Sequence, residues 1–252
     1  MMLENKTILI VGAGGLLGAK VVEASLKLGA YVIAADLSKD LVSRKLEDMK
    51  FNKDKVIFES LDITKTKSVE ELFDKYDNVD GAVNCTYPRN KSYGARFFDV
   101  ELKSFNENLS LHLGSAFLFT QQCAKYFKEH DKPFSLINIS SIYGVIAPKF
   151  EVYENTTMTM PIEYAAIKSA ILHMSKYVVK YVNDSRFRIN SVSPGGIFDN
   201  QPDSFLAAYK KHTHGEGMLN VDDILGTVTF LLSDDSRFIT GQNILVDDGF
   251  SL

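Results

Sequence analysis

Short, uniformly apolar runs alternate along this chain with stretches where apolar residues return every three or four positions. Thr7-Ile8-Leu9-Ile10-Val11 is apolar without alternation and stops at Gly12, the pattern of a strand buried on both faces. Leu17, Val21, Ala24 and Leu28 then fall on one face of a helix predicted from Leu16 to Leu28. The same alternation predicts strands at 31–35, 56–58, 81–83, 135–139, 188–192 and 243–246. Helices are predicted at 68–76, 102–129, 162–183 and 221–232, with a polar, helix-compatible stretch after Asp36. Doubly apolar strands separated by helices imply an α/β domain, doubly wound, with a mostly parallel seven-stranded sheet covered on both sides. No repeat, low-complexity tract or linker interrupts the chain, so residues 1–252 read as one domain. Two segments break the alternation, Thr86–Gly94 and the proline-bounded stretch 148–161. Both follow the carboxyl ends of predicted strands, the edge where ligands bind in open α/β sheets.

Composition removes several classes of function. The formal net charge of −4 supplies no basic excess for nucleic acid or for an anionic membrane surface. Cys85 and Cys123 have no metal-ligand spacing and form no disulfide framework, which suits two free thiols in a reducing compartment and no metal site. No signal peptide and no membrane-length apolar run is visible, so a soluble, cytoplasmic protein acting on a small molecule is expected.

The first strand runs into Gly12-Ala13-Gly14-Gly15-Leu16-Leu17-Gly18 and then a helix. Glycines between a strand and a helix let the backbone approach a diphosphate, and the helix start offers free N–H groups and a positive dipole end. Asp36 closes the second strand, 24 residues after Gly12. A carboxylate there can accept both ribose hydroxyls of an adenosine and repels a 2′-phosphate. No arginine stands beside it, so the cofactor expected is NAD in a Rossmann-type domain.

Tyr164 and Lys168 lie four residues apart in a predicted helix and share a face. A free tyrosine, with a pKa of about 10, is a poor base at neutral pH. A neighbouring ammonium stabilises the phenolate and suits it to proton exchange. Asn138-Ile139-Ser140-Ser141 ends the fifth strand, and Asn190, Pro194 and Gly195 mark the sixth. In this combination, from Lys6 to Phe250, the chain resembles the short-chain dehydrogenase/reductase family, in its single-domain subclass of about this length.

The resemblance implies roles by position. Gly12, Gly14, Gly15, Leu16, Leu17 and Gly18 make the diphosphate turn, Asp62 and Ile63 flank the adenine, and Asn84 opens the segment after the fourth strand. Ser141, Tyr164 and Lys168 are the catalytic set, and Gly195 and Ile197 meet the nicotinamide, Ile197 through its backbone. Thr240-Gly241-Gln242 and Val246-Asp247 match the carboxyl-terminal pattern. Leu16 replaces a usual glycine, Cys85-Thr86-Tyr87 replace Asn-Ala-Gly, and Asp199 falls where a threonine is common. His112 stands where the family has the asparagine of a proton relay, so it is either a relay or inert packing. Ser141 and Tyr164 are 23 residues apart, more than usual, so 148–161 reads as an insertion over the active site. The family also implies a homodimer or homotetramer built through the helices at 102–129 and 162–183.

The segment Tyr87 to Arg96 holds three cations and two tyrosines, and Lys149 opens the insertion. Arginine grips phosphate or carboxylate with two hydrogen bonds, and tyrosine rings offer a flat face to a sugar. Tyr87 and Arg89 are therefore expected to bind substrate, a polar or anionic sugar. Tyr87-Pro88-Arg89 and the long segment before Tyr164 also resemble, more loosely, bacterial oxidoreductases assigned to flagellin glycosylation. Two other classes compete with a dehydrogenase or reductase: an epimerase or dehydratase using NAD transiently, and a catalytically silent NAD-binding protein. Only 84 residues follow Lys168, which is short for the substrate region of the former.

Overall fold

The computed structural model describes residues 1–47 and 52–252. Among the described residues seven strands form one sheet: β1 (Thr7–Val11), β2 (Tyr31–Asp36), β3 (Val56–Ser60), β4 (Gly81–Asn84), β5 (Phe134–Ile139), β6 (Phe187–Pro194) and β7 (Asn243–Val246). Every pairing is parallel and the order is β3-β2-β1-β4-β5-β6-β7. The order reverses between β1 and β4, so a crevice opens at their carboxyl ends. The apolar strands predicted all form. β4 and β6 are buried along their whole length, because helices cover both faces.

The helices are α1 (Leu16–Lys27), α2 (Lys39–Leu46), α3 (Thr66–Phe73), α4 (Leu102–Asn108), α5 (Ser115–His130), α6 (Ile162–Val182), α7 (Asp203–Lys210) and α8 (Leu225–Leu232). The polar stretch after Asp36 holds α2, and its continuation at 48–51 lies outside the described residues. Two apolar clusters fill the two sides of the sheet. One joins β1 and β2 to α1 and α8 through Val21, Val22 and Val228; the other joins them to α3 and α5 through Val69, Phe119 and Phe127.

Three elements differ from the pattern reading. The helix predicted at 102–129 is interrupted by a π-helical segment from Leu109 to Gly114, which redirects the side chains on its inner face. The helix predicted at 221–232 begins as a 3-10 turn, Val221–Ile224, closed by reciprocal capping between Asn220 and Asp223. Helix α7 was not predicted at all. It carries Phe205 and Tyr209 four residues apart, both buried in a third cluster with Tyr143, Val152 and Phe250. Eight residues hold too little apolar periodicity to stand out, and the cluster that stabilises α7 comes from distant parts of the chain.

Candidate active site

The glycine turn after β1 sits at the crevice. A Cβ on Gly18 would lie 2.0 Å from the Gly12 carbonyl oxygen, so only glycine lets α1 start this close to the turn. Gly15 is the N-cap residue of α1; it has no side chain to cap with, and no acidic residue occupies the first turn. The first amides of α1 are thus left for a ligand, and Leu16 and Leu17 line the cavity beside them. Asp36 Oδ2 accepts the Gly14 N–H at 2.8 Å, and Oδ1 accepts the Leu37 N–H at 2.7 Å. That carboxylate ties the glycine turn to the end of β2. Uncapped helix amides, a close backbone turn and an adjoining carboxylate suit the diphosphate and ribose of a dinucleotide.

Asp62 turns its side chain into its own turn, where Oδ1 accepts the Thr64 N–H at 3.0 Å and the Thr64 hydroxyl at 2.6 Å. Ile63 is buried against Leu61 and Val69. Both stand just beyond the carboxyl end of β3, and neither lines the main cavity. Asn84, at the end of β4, accepts the Thr86 N–H at 3.1 Å and the Thr86 hydroxyl at 2.7 Å. This turn throws the next residue, Tyr87, across the crevice.

The main cavity, about 480 Å³, brings Ser141, Tyr164 and Lys168 together with Tyr87, Gly195 and Ile197. Ser141 caps the short 3-10 turn after β5, its Oγ accepting the Tyr143 N–H at 3.2 Å. That turn packs directly on α6: a Cβ on Gly144 would lie 2.8 Å from the Lys168 carbonyl carbon. Ser140 Oγ donates to the Lys168 carbonyl oxygen at 3.0 Å, and Lys168 Nζ donates to the Ile139 carbonyl oxygen at 2.8 Å. These contacts bring Ser141 and Tyr164 to the same cavity despite the 14-residue stretch 148–161 between them.

Burial decides the electrostatics of this pair. It pushes the Lys168 ammonium down to about 8 and holds the Tyr164 phenol above its ordinary value, with the Ser141 hydroxyl opposing the latter. The Lys168 ammonium lies 5.6 Å from the Tyr164 ring centre. Gly195 is held by its N–H to the Val246 carbonyl at 2.8 Å. The bridge at Ile197 uses its neighbours, Phe198 N–H to Leu219 O and Leu219 N–H to Gly196 O, both at 2.8 Å. The Ile197 amide is thereby left at the cavity wall. Asp199 lines the cavity too, its N–H donating to Gln201 Oε1 at 2.7 Å.

His112 sits within the π-helical segment, 3% exposed, with a buried Nδ1 that has no protein partner among the described residues. Its ring meets that of Tyr87 edge-on, centroids 5.1 Å apart. Burial first, then the Lys168 and Arg89 cations, push its pKa down to about 2. The unfolded chain takes up this proton near pH 6.5 and the folded chain does not, so stability present above pH 6.5 is lost as pH falls below it. Between pH 6.5 and 4.5 the loss is about 2–2.5 kcal/mol. Urea unfolding across this range should show a shallower pH slope for His112→Asn than for wild type; equal slopes would place a charged imidazole in the fold.

Two predicted substrate cations do not reach the cavity. Lys149 Nζ donates to the Phe250 carbonyl at 2.8 Å and lies over the Phe250 ring, so it clamps the carboxyl-terminal tail. Arg89 is exposed and stacks on the Tyr87 ring, its guanidinium carbon 4.6 Å from the centroid. A lone cation beside an aromatic ring gains from resting on that face, and the sequence does not show which ring lies nearest. The insertion instead contributes Tyr153, Met158, Met160 and Pro161 to the cavity wall. Tyr143, Phe205, Tyr209 and Met218 complete this side and were not foreseen. The spacing of Phe205 and Tyr209 was the one available signal for them.

Against known proteins, residues 12–251 match a family model described as enoyl-(acyl carrier protein) reductase. The chain is 40% identical to post-translational flagellin modification protein A of Campylobacter coli, over 100% of both chains. It is 26% identical to a 7alpha-hydroxysteroid dehydrogenase of Bacteroides fragilis, over 99% of this chain and 95% of that one. A crystal structure of a short-chain dehydrogenase from Leptospira borgpetersenii with bound NAD+ superposes with a TM-score of 0.87 at 32% identity, covering 100% of this chain and 94% of that one.

Proposed function

Because the chain belongs to the short-chain dehydrogenase/reductase family, we propose that it interconverts a hydroxyl and a carbonyl on a polar sugar with NAD as cofactor, in a surface-glycan (flagellin modification) pathway of the cytoplasm. The observation that carries this reading is convergence: Ser141, Tyr164 and Lys168 open on the cavity that the uncapped start of α1 adjoins. Bound NAD supplies or accepts the hydride. Tyr164 exchanges the proton of the substrate oxygen, and Ser141 orients that oxygen by hydrogen bonding. Lys168 holds the ribose and tunes Tyr164. Gly12, Gly14, Gly15, Leu16 and Leu17 hold the diphosphate, Asp36 the adenosine ribose, and Asp62 and Ile63 the adenine, with Asn84 also part of the cofactor site. Gly195 and the Ile197 amide take the nicotinamide end. His112 fills the place of a relay residue as a neutral side chain.

The tyrosine-rich wall supports a sugar ring as substrate, since each ring offers a flat apolar face and a hydroxyl. Tyr87 binds that ring, and Arg89, stacked on its side, takes any anionic group at the rim. No described helix is long and apolar enough to cross a membrane. The exposed Phe117, Tyr177 and Tyr181 on α5 and α6 support a homodimer or homotetramer through these helices.

The test is a panel of keto- and hydroxy-sugars and their phosphates, followed by NADH absorbance. Net turnover supports the reading. Product without net NADH change would make the protein an epimerase or dehydratase, and cofactor binding without product a silent binder. In the same assay NAD should be preferred over NADP, because the Asp36 carboxylate repels a 2′-phosphate. Asp36→Ala should narrow the preference by roughly tenfold or more, the worth of a charged hydrogen bond. Equal use of both cofactors by the wild type would remove this role for Asp36.

A further inference from the structure

Glu163 is the residue before Tyr164, yet it faces away from the solvent with no exposed surface at all. Burying a carboxylate is expensive, and no cation pairs with this one among the described residues. Its Oε1 accepts from Asn108 Nδ2 at 3.4 Å, while Oε2 is buried without a partner among the described residues. Asn108, the last residue of α4, is equally buried. Its Oδ1 accepts the backbone N–H of Asn90 at 3.0 Å. That bond fixes the amide orientation: the oxygen must face Asn90, so the NH₂ must face Glu163.

Asn90 lies three residues after Tyr87, in the segment that departs from the family pattern. The same segment is fastened to α4 at further points. Asn90 Nδ2 donates to Glu107 Oε2 at 2.8 Å and to Ser104 Oγ at 3.2 Å, and the Ser92 and Ser104 hydroxyls are 2.8 Å apart. At its other end the Asn84 turn holds Thr86. Between these anchors the Tyr87 ring meets Tyr164 edge-on at 5.6 Å, and its hydroxyl is bonded to that of Tyr93.

We propose that Glu163 and Asn108 are positioning residues, a buried brace that acts through the Asn90 backbone to hold Tyr87 as the wall of the reaction cavity beside Tyr164. The wall sets how much room lies next to the reacting oxygen, and so which substrates enter. The brace stands on this geometry alone and does not depend on the substrate's identity.

Cys85 provides a direct readout. It lines the cavity next to Tyr87, and Cys123 is fully buried in the core, so a thiol reagent reports on Cys85. Burial pushes the Cys85 thiol up to about 12, which keeps it slow to react while the segment is closed. The experiment is N-ethylmaleimide labelling of the folded protein at pH 8, with the labelled cysteine identified by mass spectrometry. Glu163→Leu keeps the volume and removes the acceptor; it should speed Cys85 labelling roughly tenfold, as for one lost hydrogen bond. Glu163→Gln keeps an oxygen for Asn108 and should label at the wild-type rate. Tyr87→Ala should label fast, and adding Glu163→Leu to it should change nothing further. Should Glu163→Leu fail to fold, Asn108→Leu cuts the same brace from α4 and carries the same expectations. Wild-type rates in these Leu variants, equal acceleration by Gln and Leu, or a full additional effect in the Tyr87→Ala background would each overturn the brace. A wild-type rate equal to that of the chain in urea would overturn the wall itself.

Discussion

Tyr164→Phe should lower turnover by about 10²–10⁴-fold, the usual worth of a general acid–base group, while NAD affinity stays close to wild type. The substitution removes one oxygen and nothing else. The ring keeps its edge-on contact with Tyr87 and its place in the cluster with Tyr143 and Phe205, so the fold has no reason to change. Burial holds the Tyr164 phenol above its ordinary value, so at neutral pH it is un-ionised folded and unfolded alike and its ionisation contributes nothing to stability; the thermal midpoint should stay close to wild type. Steady-state kinetics with a substrate from the sugar panel, beside NADH titration, separates the two effects. A variant that retains more than a few per cent of activity would show that the substrate proton travels by another group.

Gly18→Ala should give the largest loss of fold stability and cofactor affinity together. The added methyl would stand 2.0 Å from the Gly12 carbonyl oxygen and within 3.0 Å of Ala13 Cα, which are backbone atoms that cannot swing away. Helix α1 must therefore shift off the turn. Overpacking of this kind costs about 1–3 kcal/mol, or roughly 2–12 °C in Tm for a chain this long. Since the displaced atoms include the amides that would hold a diphosphate, NAD binding should weaken by roughly tenfold or more. Gly226→Ala is the control. That glycine lies in α8 with nothing within 4 Å of its missing Cβ, so the substitution should stabilise by about 0.5–1 kcal/mol. Melting curves and NADH titrations of both variants decide the matter; a Gly18→Ala protein that melts and binds like wild type would mean that α1 can move off the turn at no cost.

The legible parts of this protein were those governed by local rules. A strand buried on both faces must be apolar throughout, so β1, β2, β4, β5 and β6 announced themselves, and the sheet class followed from their alternation with helices. The glycine turn was readable because a strand-to-helix reversal leaves few options for side chains at Gly12 and Gly18. Tyr164 and Lys168 were readable as a pair because helical spacing alone places them on one face. The free thiols, Cys85 and Cys123, stand unbonded as composition suggested.

What the tertiary structure decided were contacts between residues far apart in sequence. No periodicity reveals that Lys149 would be spent on the Phe250 carbonyl, 101 residues away, or that Arg89 would rest on the Tyr87 ring instead of entering the cavity. Helix α7 exists because Phe205 and Tyr209 meet Tyr143, Val152 and Phe250, a cluster assembled only when the insertion and the carboxyl-terminal tail fold together. The π-helical segment around His112 and the buried Glu163–Asn108 pair are equally invisible in the sequence. Backbone preference and hydrophobic period act over a few residues, so the sequence by itself determined the apolar strands, the long helices, their alternation and which candidate side chains stand at their ends. Burial and the choice of hydrogen-bond partner depend on the whole packed chain, so only the fold decided which charges face the cavity and which serve to hold it in shape.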